Sequence, residues 1–252
     1  MKINTITILK HKAYLLSVFL LISAGIFSAL PAYSQIDYTY GINQRGFRFG
    51  VGAGAASLQT YWGEQPIKPA AVLTLDYNVN PYFSLGVEAE YGQLVGIDNK
   101  KHYAYLQSTN TYTAGNFNIK IAVGQVSDFN SKNGFTDALK RIYLGVGVGA
   151  IYSSVVLTNR SDGLVVPPAE GAMVLATKTQ FSNERTGTFM NIPVNFGTNI
   201  DLPGVLGLDK LELNPNFEYN FVNSKIFDGY EPNAKVANGA YALVSLSIKY
   251  KF

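Results

Sequence analysis

Eight segments of this chain alternate apolar and polar residues with a period of two, and no other feature limits the fold so strongly. A strand sends successive side chains to opposite faces, so this period means two faces with different surroundings. The segments run over about 46–57, 70–80, 82–95, 112–124, 141–155, 188–200, 210–222 and 239–252. In the first, Phe47, Phe49 and Val51 share one face with Ala53 and Ala55, while Arg48, Gly50, Gly52 and Gly54 share the other. In the third, Phe83, Leu85, Val87, Ala89 and Tyr91 oppose Ser84, Gly86, Glu88, Glu90 and Gly92. The fifth sets Leu144, Val146 and Val148 against Gly145, Gly147 and Gly149. The eighth sets Val244, Leu246, Ile248 and Tyr250 against Ser245, Ser247, Lys249 and Lys251. Two prolines interrupt the rhythm: Pro193, on the polar side of the sixth segment, is expected to force a bulge, and Pro215 is a second irregularity in the seventh.

The apolar face is almost free of charge, whereas the other carries Gly, Asn and charges of both signs. Glycines at 50, 52, 54, 145, 147 and 149 would leave gaps against lipid. In a narrow lumen they leave room for long side chains from other strands. The connections also alternate: Asn80-Pro81 and about 201–209 are short, while about 58–69, 96–111, 156–187 and 223–238 are long. The segment at about 125–140 is the exception, long on the short side, with a helical turn expected around 135–139. Short turns on one side and long loops on the other are the habit of outer-membrane barrels. The expected fold is all-β, an eight-stranded antiparallel up-and-down transmembrane β-barrel over residues 46–252, with its apolar face on lipid.

The start of the chain reads as an address. Lys2, Lys10 and Lys12 precede Ala13 to Leu30, eighteen residues without a charge, and Ala32-Tyr33-Ser34 offers a small-residue cleavage site before Gln35. This is the three-part layout of a secretory signal peptide over residues 1–34, leaving 35–45 as a periplasmic N-terminal segment. Cleavage would take three of the 20 basic residues and leave 17, equal to the 17 acidic ones, so no basic excess points to nucleic acid. Charged residues are 15% of the chain against roughly 25% in an average soluble domain. The chain has no Cys, which excludes disulfides, thiol chemistry, Cys-based zinc sites and an N-terminal lipid anchor on Cys.

The chain ends Leu246-Ser-Ile-Lys-Tyr-Lys-Phe252, an alternating strand with a terminal aromatic. This resembles the C-terminal signal read by the outer-membrane barrel assembly machinery, with Phe252 as its key residue. Together with Tyr77-Asn-Val-Asn-Pro-Tyr-Phe-Ser-Leu-Gly86 and Ile142-Tyr-Leu-Gly-Val-Gly-Val-Gly149 it is similar to the outer-membrane β-barrel domain family common in Bacteroidetes. The resemblance implies a barrel like the membrane domain of outer membrane protein A. Its implied partners are outer-membrane lipid and lipopolysaccharide, and the assembly machinery during biogenesis. The family includes PorT-like accessories of secretion, but no motif here selects that branch.

The inward set holds five acids, Asp76, Glu88, Glu90, Glu212 and Glu218, and five bases, Arg48, Lys120, Arg141, Lys249 and Lys251. Unpaired charges in a narrow lumen are costly, so the expectation is one cross-linked polar plug in which neutralising Glu88 and Glu90 strands nearby bases. A gated ion path or a ligand site is the sharper alternative. Gly50-Val-Gly-Ala-Gly54 and Gly145-Val-Gly-Val-Gly149 lack the spacing of a phosphate loop. Past residue 34 the only histidine is His102, and His102-Tyr103-Ala104 has no adjacent serine; Ser108 is six residues on, too little for a lipid A hydrolase triad. Glu64, Asp98, Asp162 and Glu170 are too scattered for a loop metal site. Tyr82, Phe83, Tyr250 and Phe252 read as an interfacial aromatic girdle, and Tyr61-Trp62 as a candidate sugar-stacking pair in the first long loop. The functional expectation is a non-enzymatic barrel without cofactor, acting in the envelope or through its outer loops.

Overall fold

A computed structural model describes residues 45–60, 62–97, 106–126, 138–159, 186–202, 210–229 and 239–252. The segments expected to be the signal peptide and most of the N-terminal stretch lie outside these residues. The strands are β1 (Gly46–Leu58), β2 (Lys68–Asn80), β3 (Phe83–Ile97), β4 (Leu106–Ala122), β5 (Tyr143–Asn159), β6 (Thr186–Gly197), a two-residue β7 (Ile200–Asp201), β8 (Leu211–Val222) and β9 (Ala240–Lys251). Each long strand pairs antiparallel with its sequence neighbours. β6 pairs with β8 and β1 with β9, so eight strands close a ring with β7 appended to β8. The closing seam runs Arg48↔Lys251 to Leu58↔Tyr241, and the Phe252 amide donates to the Phe47 carbonyl at 3.0 Å.

The alternation sorts as expected. Phe47, Phe49, Val51, Val146, Val148, Leu246 and Ile248 are exposed on the outside, and the Gly, Asn and charged set points inward. The inward glycines make room: a Cβ at Gly50 would lie 2.8 Å from the stem of Lys249, and one at Gly145 would lie 3.0 Å from the stem of Lys120. Neither proline shifts the register. Around Pro193 the β5–β6 ladder simply lacks two pairs between Val146↔Val194 and Gly149↔Asn191, so the expected bulge is absent. Pro215 faces Leu246 in an unbroken β8–β9 register.

Strands on the long-loop side are longer than the alternation shows. β3 and β4 remain paired out to Ile97↔Gln107, and β5 continues to Asn159, so 96–97 and 106–111 of the expected loop over 96–111 are strand. There the outward residues Gln107, Thr109 and Thr111 are polar, and the inward Leu106 is apolar, which hides the two faces. At the other end, the tight β2–β3 turn is held by the Asn80 side chain accepting from the Tyr82 amide at 2.8 Å. Of the expected helical turn at 135–139, the described part is a helical turn over 138–140.

Candidate functional site

All ten inward charges of the sequence reading are buried except Lys251, which is half-buried. They do not make one network. At the short-turn end lies an ion-pair knot. Asp76 is flanked by Lys249 at 2.6 Å and Lys120 at 3.0 Å. Glu212 takes Arg48 at 3.2 Å, Arg141 at 3.1 Å and Lys251 at 2.9 Å. Asp201, a residue of the turn region that the alternation assigned no role, adds a contact to Arg141 at 2.6 Å and another to Lys251. Burial raises the Asp201 carboxyl, but Arg141 and Lys251 more than offset this and hold it below the ordinary carboxylate range. A small recess lined by Arg48, Asn78, Tyr82, Lys120, Arg141 and Asn199 opens at this end.

Above the knot an asparagine relay crosses the lumen. Asn216 donates to Asn195 at 3.2 Å, Asn195 to Asn118 at 3.2 Å, and Asn191 to both Asn116 at 3.0 Å and Asn220 at 2.6 Å. Tyr143 joins it, donating to Asn216 and accepting from Asn214, each at 3.0 Å, with Lys120 over its ring at 5.6 Å.

Next along the axis, Glu88, Glu90 and Glu218 come together, with one oxygen of each within 4.8 Å of the others. No described base forms an ion pair with them, because all five lumen bases are committed to Asp76, Asp201 and Glu212. This corrects the expectation that neutralising Glu88 and Glu90 would strand nearby bases. Equal counts of inward acids and bases do not reveal how the charges are distributed along the barrel axis. Glu90 accepts from Asn116 at 2.7 Å and from the Tyr241 hydroxyl at 3.0 Å; Glu218 accepts from Asn220 at 2.7 Å.

The long-loop end is apolar, a second departure from the expected polar plug. Leu58, Trp62, Leu94, Leu106, Ile151 and Leu157 pack with Tyr112, Tyr241 and Leu243 in one cluster. The chain after β8 turns into this mouth: Phe227 is fully buried against Tyr241, ring centroids 6.0 Å apart. Its carbonyl accepts from Asn110 at 2.7 Å, and the Asp228 carbonyl from Ser108 at 2.6 Å. Gly229 sits at φ 78° to make the bend.

Trp62 is thereby withdrawn from any sugar: it is 6% exposed, and a Cβ at Gly96 would overlap its ring. Tyr61, His102, Asp98, Asp162 and Glu170 lie outside the described residues, and Glu64 is bridged to Ile97 by backbone bonds of 2.8 and 2.9 Å. At the short-turn rim, Tyr250 and Phe252 meet edge to face at 5.2 Å and Lys210 lies over Tyr250 at 5.8 Å.

No protein-family model and no curated protein matches the chain. Among solved structures it is similar to Neisserial surface protein A, at 12% identity over 82% of this chain and 97% of that one, with a TM-score of 0.39. It is also similar to the attachment invasion locus protein of Yersinia pestis, there in complex with the heparin analogue sucrose octasulfate: 10% identity, 83% and 100% coverage, TM-score 0.42. The outer membrane protein OprG of Pseudomonas aeruginosa gives 8% identity, 82% and 98% coverage, and a TM-score of 0.43.

Proposed function

We propose that this chain is a closed β-barrel of the bacterial outer membrane, with no enzymatic activity and no cofactor. It serves envelope structure, or contacts made by its long loops. The observation that carries this reading is the inverted sorting of side chains. Large apolar residues are exposed on the outer wall, including Phe49, Val146, Phe217 and Leu246, while Lys249, Glu90 and Glu212 are at most 1% exposed inside. Water would penalise such an outer wall, whereas hydrocarbon accepts it. A closed ring also leaves no unpaired strand edge for the bilayer to desolvate. The short turns then face the periplasm and the long loops the exterior.

Both ends of the lumen are filled, by ion pairs at one and by apolar packing at the other, which opposes a solute channel. The Ser108 hydroxyl is committed to a backbone carbonyl inside the barrel, which opposes its use as a nucleophile. An origin in Bacteroidetes rests on the terminal and hairpin motifs named above, and a PorT-like accessory role is the alternative that the same family allows without a motif selecting it. Recognition of Phe252 by the assembly machinery rests on the terminal motif.

Planar-bilayer recording of the purified full chain tests the closed lumen: no steady single-channel current is expected, and regular openings would sink it. A tag inserted near Asp162 should be labelled on intact cells, and one placed just before Ile36 should not. The reverse pattern would overturn the orientation.

A further inference from the structure

We propose that Glu88, Glu90 and Glu218 form a binding site for one divalent cation of the hard, oxygen-preferring class (calcium, magnesium or manganese) held inside the barrel. Glu88 and Glu90 project from β3, and Glu218 from β8, four strands away around an eight-strand ring. Three carboxylates therefore converge from opposite walls to within 4.8 Å, each at most 2% exposed. In their charged form and without a countercharge they would push those walls apart.

Glu90 accepts at both oxygens, from Asn116 and from Tyr241, and Glu218 accepts from Asn220. Countercharge does not come from the described bases, which pair elsewhere.

A separate observation points to a ligand. The Tyr112 hydroxyl, on a fully buried side chain from β4, makes no well-formed hydrogen bond and lies beside Glu90, Glu218 and Glu88. Oxygen Oε1 of Glu88 and Oε2 of Glu218 are likewise buried without a partner. Oxygens thus accumulate at one point with few N–H or hydroxyl donors among them. A hard cation satisfies this shortage with carboxylate and hydroxyl ligands. The set of three carboxylates with neutral Asn and Tyr neighbours, free of His and Cys, suits such an ion rather than zinc or copper. The apolar mouth and the ion-pair knot seal the site on both sides, so the ion enters as the barrel closes and leaves slowly.

The test is to refold the full chain into detergent micelles with millimolar manganese, wash with EDTA, desalt, and count metal by mass spectrometry. The folded wild type should retain about one ion per chain, and E90Q with E218Q should fall to background. Manganese present during refolding should also raise the wild-type denaturant midpoint relative to refolding in EDTA, since a ligand bound only by the native state stabilises it. That second readout serves if the double variant does not fold. Retention below roughly a tenth of an ion per chain by the folded wild type would overturn the proposal. So would equal retention by a folded double variant. A midpoint that responds to pH but not to manganese would show that the carboxyls share protons instead, and would overturn it as well.

Discussion

At the short-turn end of the lumen, Asp76, Asp201 and Glu212 are locked among five bases; at the long-loop end, Leu94, Ile151, Leu157, Phe227 and Leu243 make an apolar core. The two ends are built on the same strands and have the same narrow bore, yet different physics closes them. Near the short turns the outer wall meets lipid, so apolar residues are used outside and the inside is left to Gly, Asn and charge. On the long-loop side the strands continue as an extension beyond this apolar belt. Its outer face can be polar, as at Gln107, Thr109 and Thr111, and its inside packs as in a soluble protein. The lumen thus changes from inverted to ordinary protein interior along one axis.

Perturbing each end should separate them. Asp76→Asn leaves Lys120 and Lys249 buried beside a neutral amide. Breaking one side of a buried pair typically costs about 3–5 kcal/mol, and urea unfolding in micelles should show that loss. A loss below about 1 kcal/mol would mean that water reaches the knot. At the other end, Leu94→Ala removes a fully buried side chain, at a typical cost of about 2–5 kcal/mol. The comparison is sharpened by salt: adding it should leave the Leu94→Ala loss unchanged, because no charge is involved.

The smallest effect concerns pH. Asp201 is held below the ordinary carboxylate range by Arg141 and Lys251, so its contribution is present above the unfolded pKa of about 3.9 and lost as pH falls below it. It is 36% exposed and screened, so the contribution is about 0–1 kcal/mol. Asp201→Asn should flatten the acid limb of the unfolding curve slightly. An unchanged acid limb would remove Asp201 from the knot.

The polar end was legible in the sequence because Arg48, Asp76, Lys120, Glu212 and Lys249 fall on the inward phase of clear alternation. Their partition was not, since it depends on which strands lie opposite across the ring: Arg141 meets Glu212 across 71 positions of sequence. The apolar end was hidden for a different reason. With Leu106 and Leu157 inside and Thr109 and Thr111 outside, the same period is present with its sign reversed, and a search for one apolar face passes over it. Trp62 is hidden by the same logic: in sequence it is an aromatic in a loop, and in the fold it packs into that core. The stretches at 77–86 and 142–149 that carry the resemblance both lie at the short-turn side and say nothing of the mouth.

The inverted wall itself is the claim on which the rest depends. A label at Gly147 cannot probe the inside, because its Cβ would lie 2.5 Å from the Phe117 carbonyl oxygen. The native chain supplies a better internal standard in its one tryptophan, Trp62, which is 6% exposed. The direct measurement is tryptophan fluorescence of the full chain reconstituted in lipids with brominated acyl chains. Wild-type emission from Trp62 should be nearly unquenched, and Leu246→Trp, at a site 51% exposed on the outer wall, should add a component that the bromines quench strongly. A folded Leu246→Trp barrel with unquenched emission would place that face away from hydrocarbon and contradict the account.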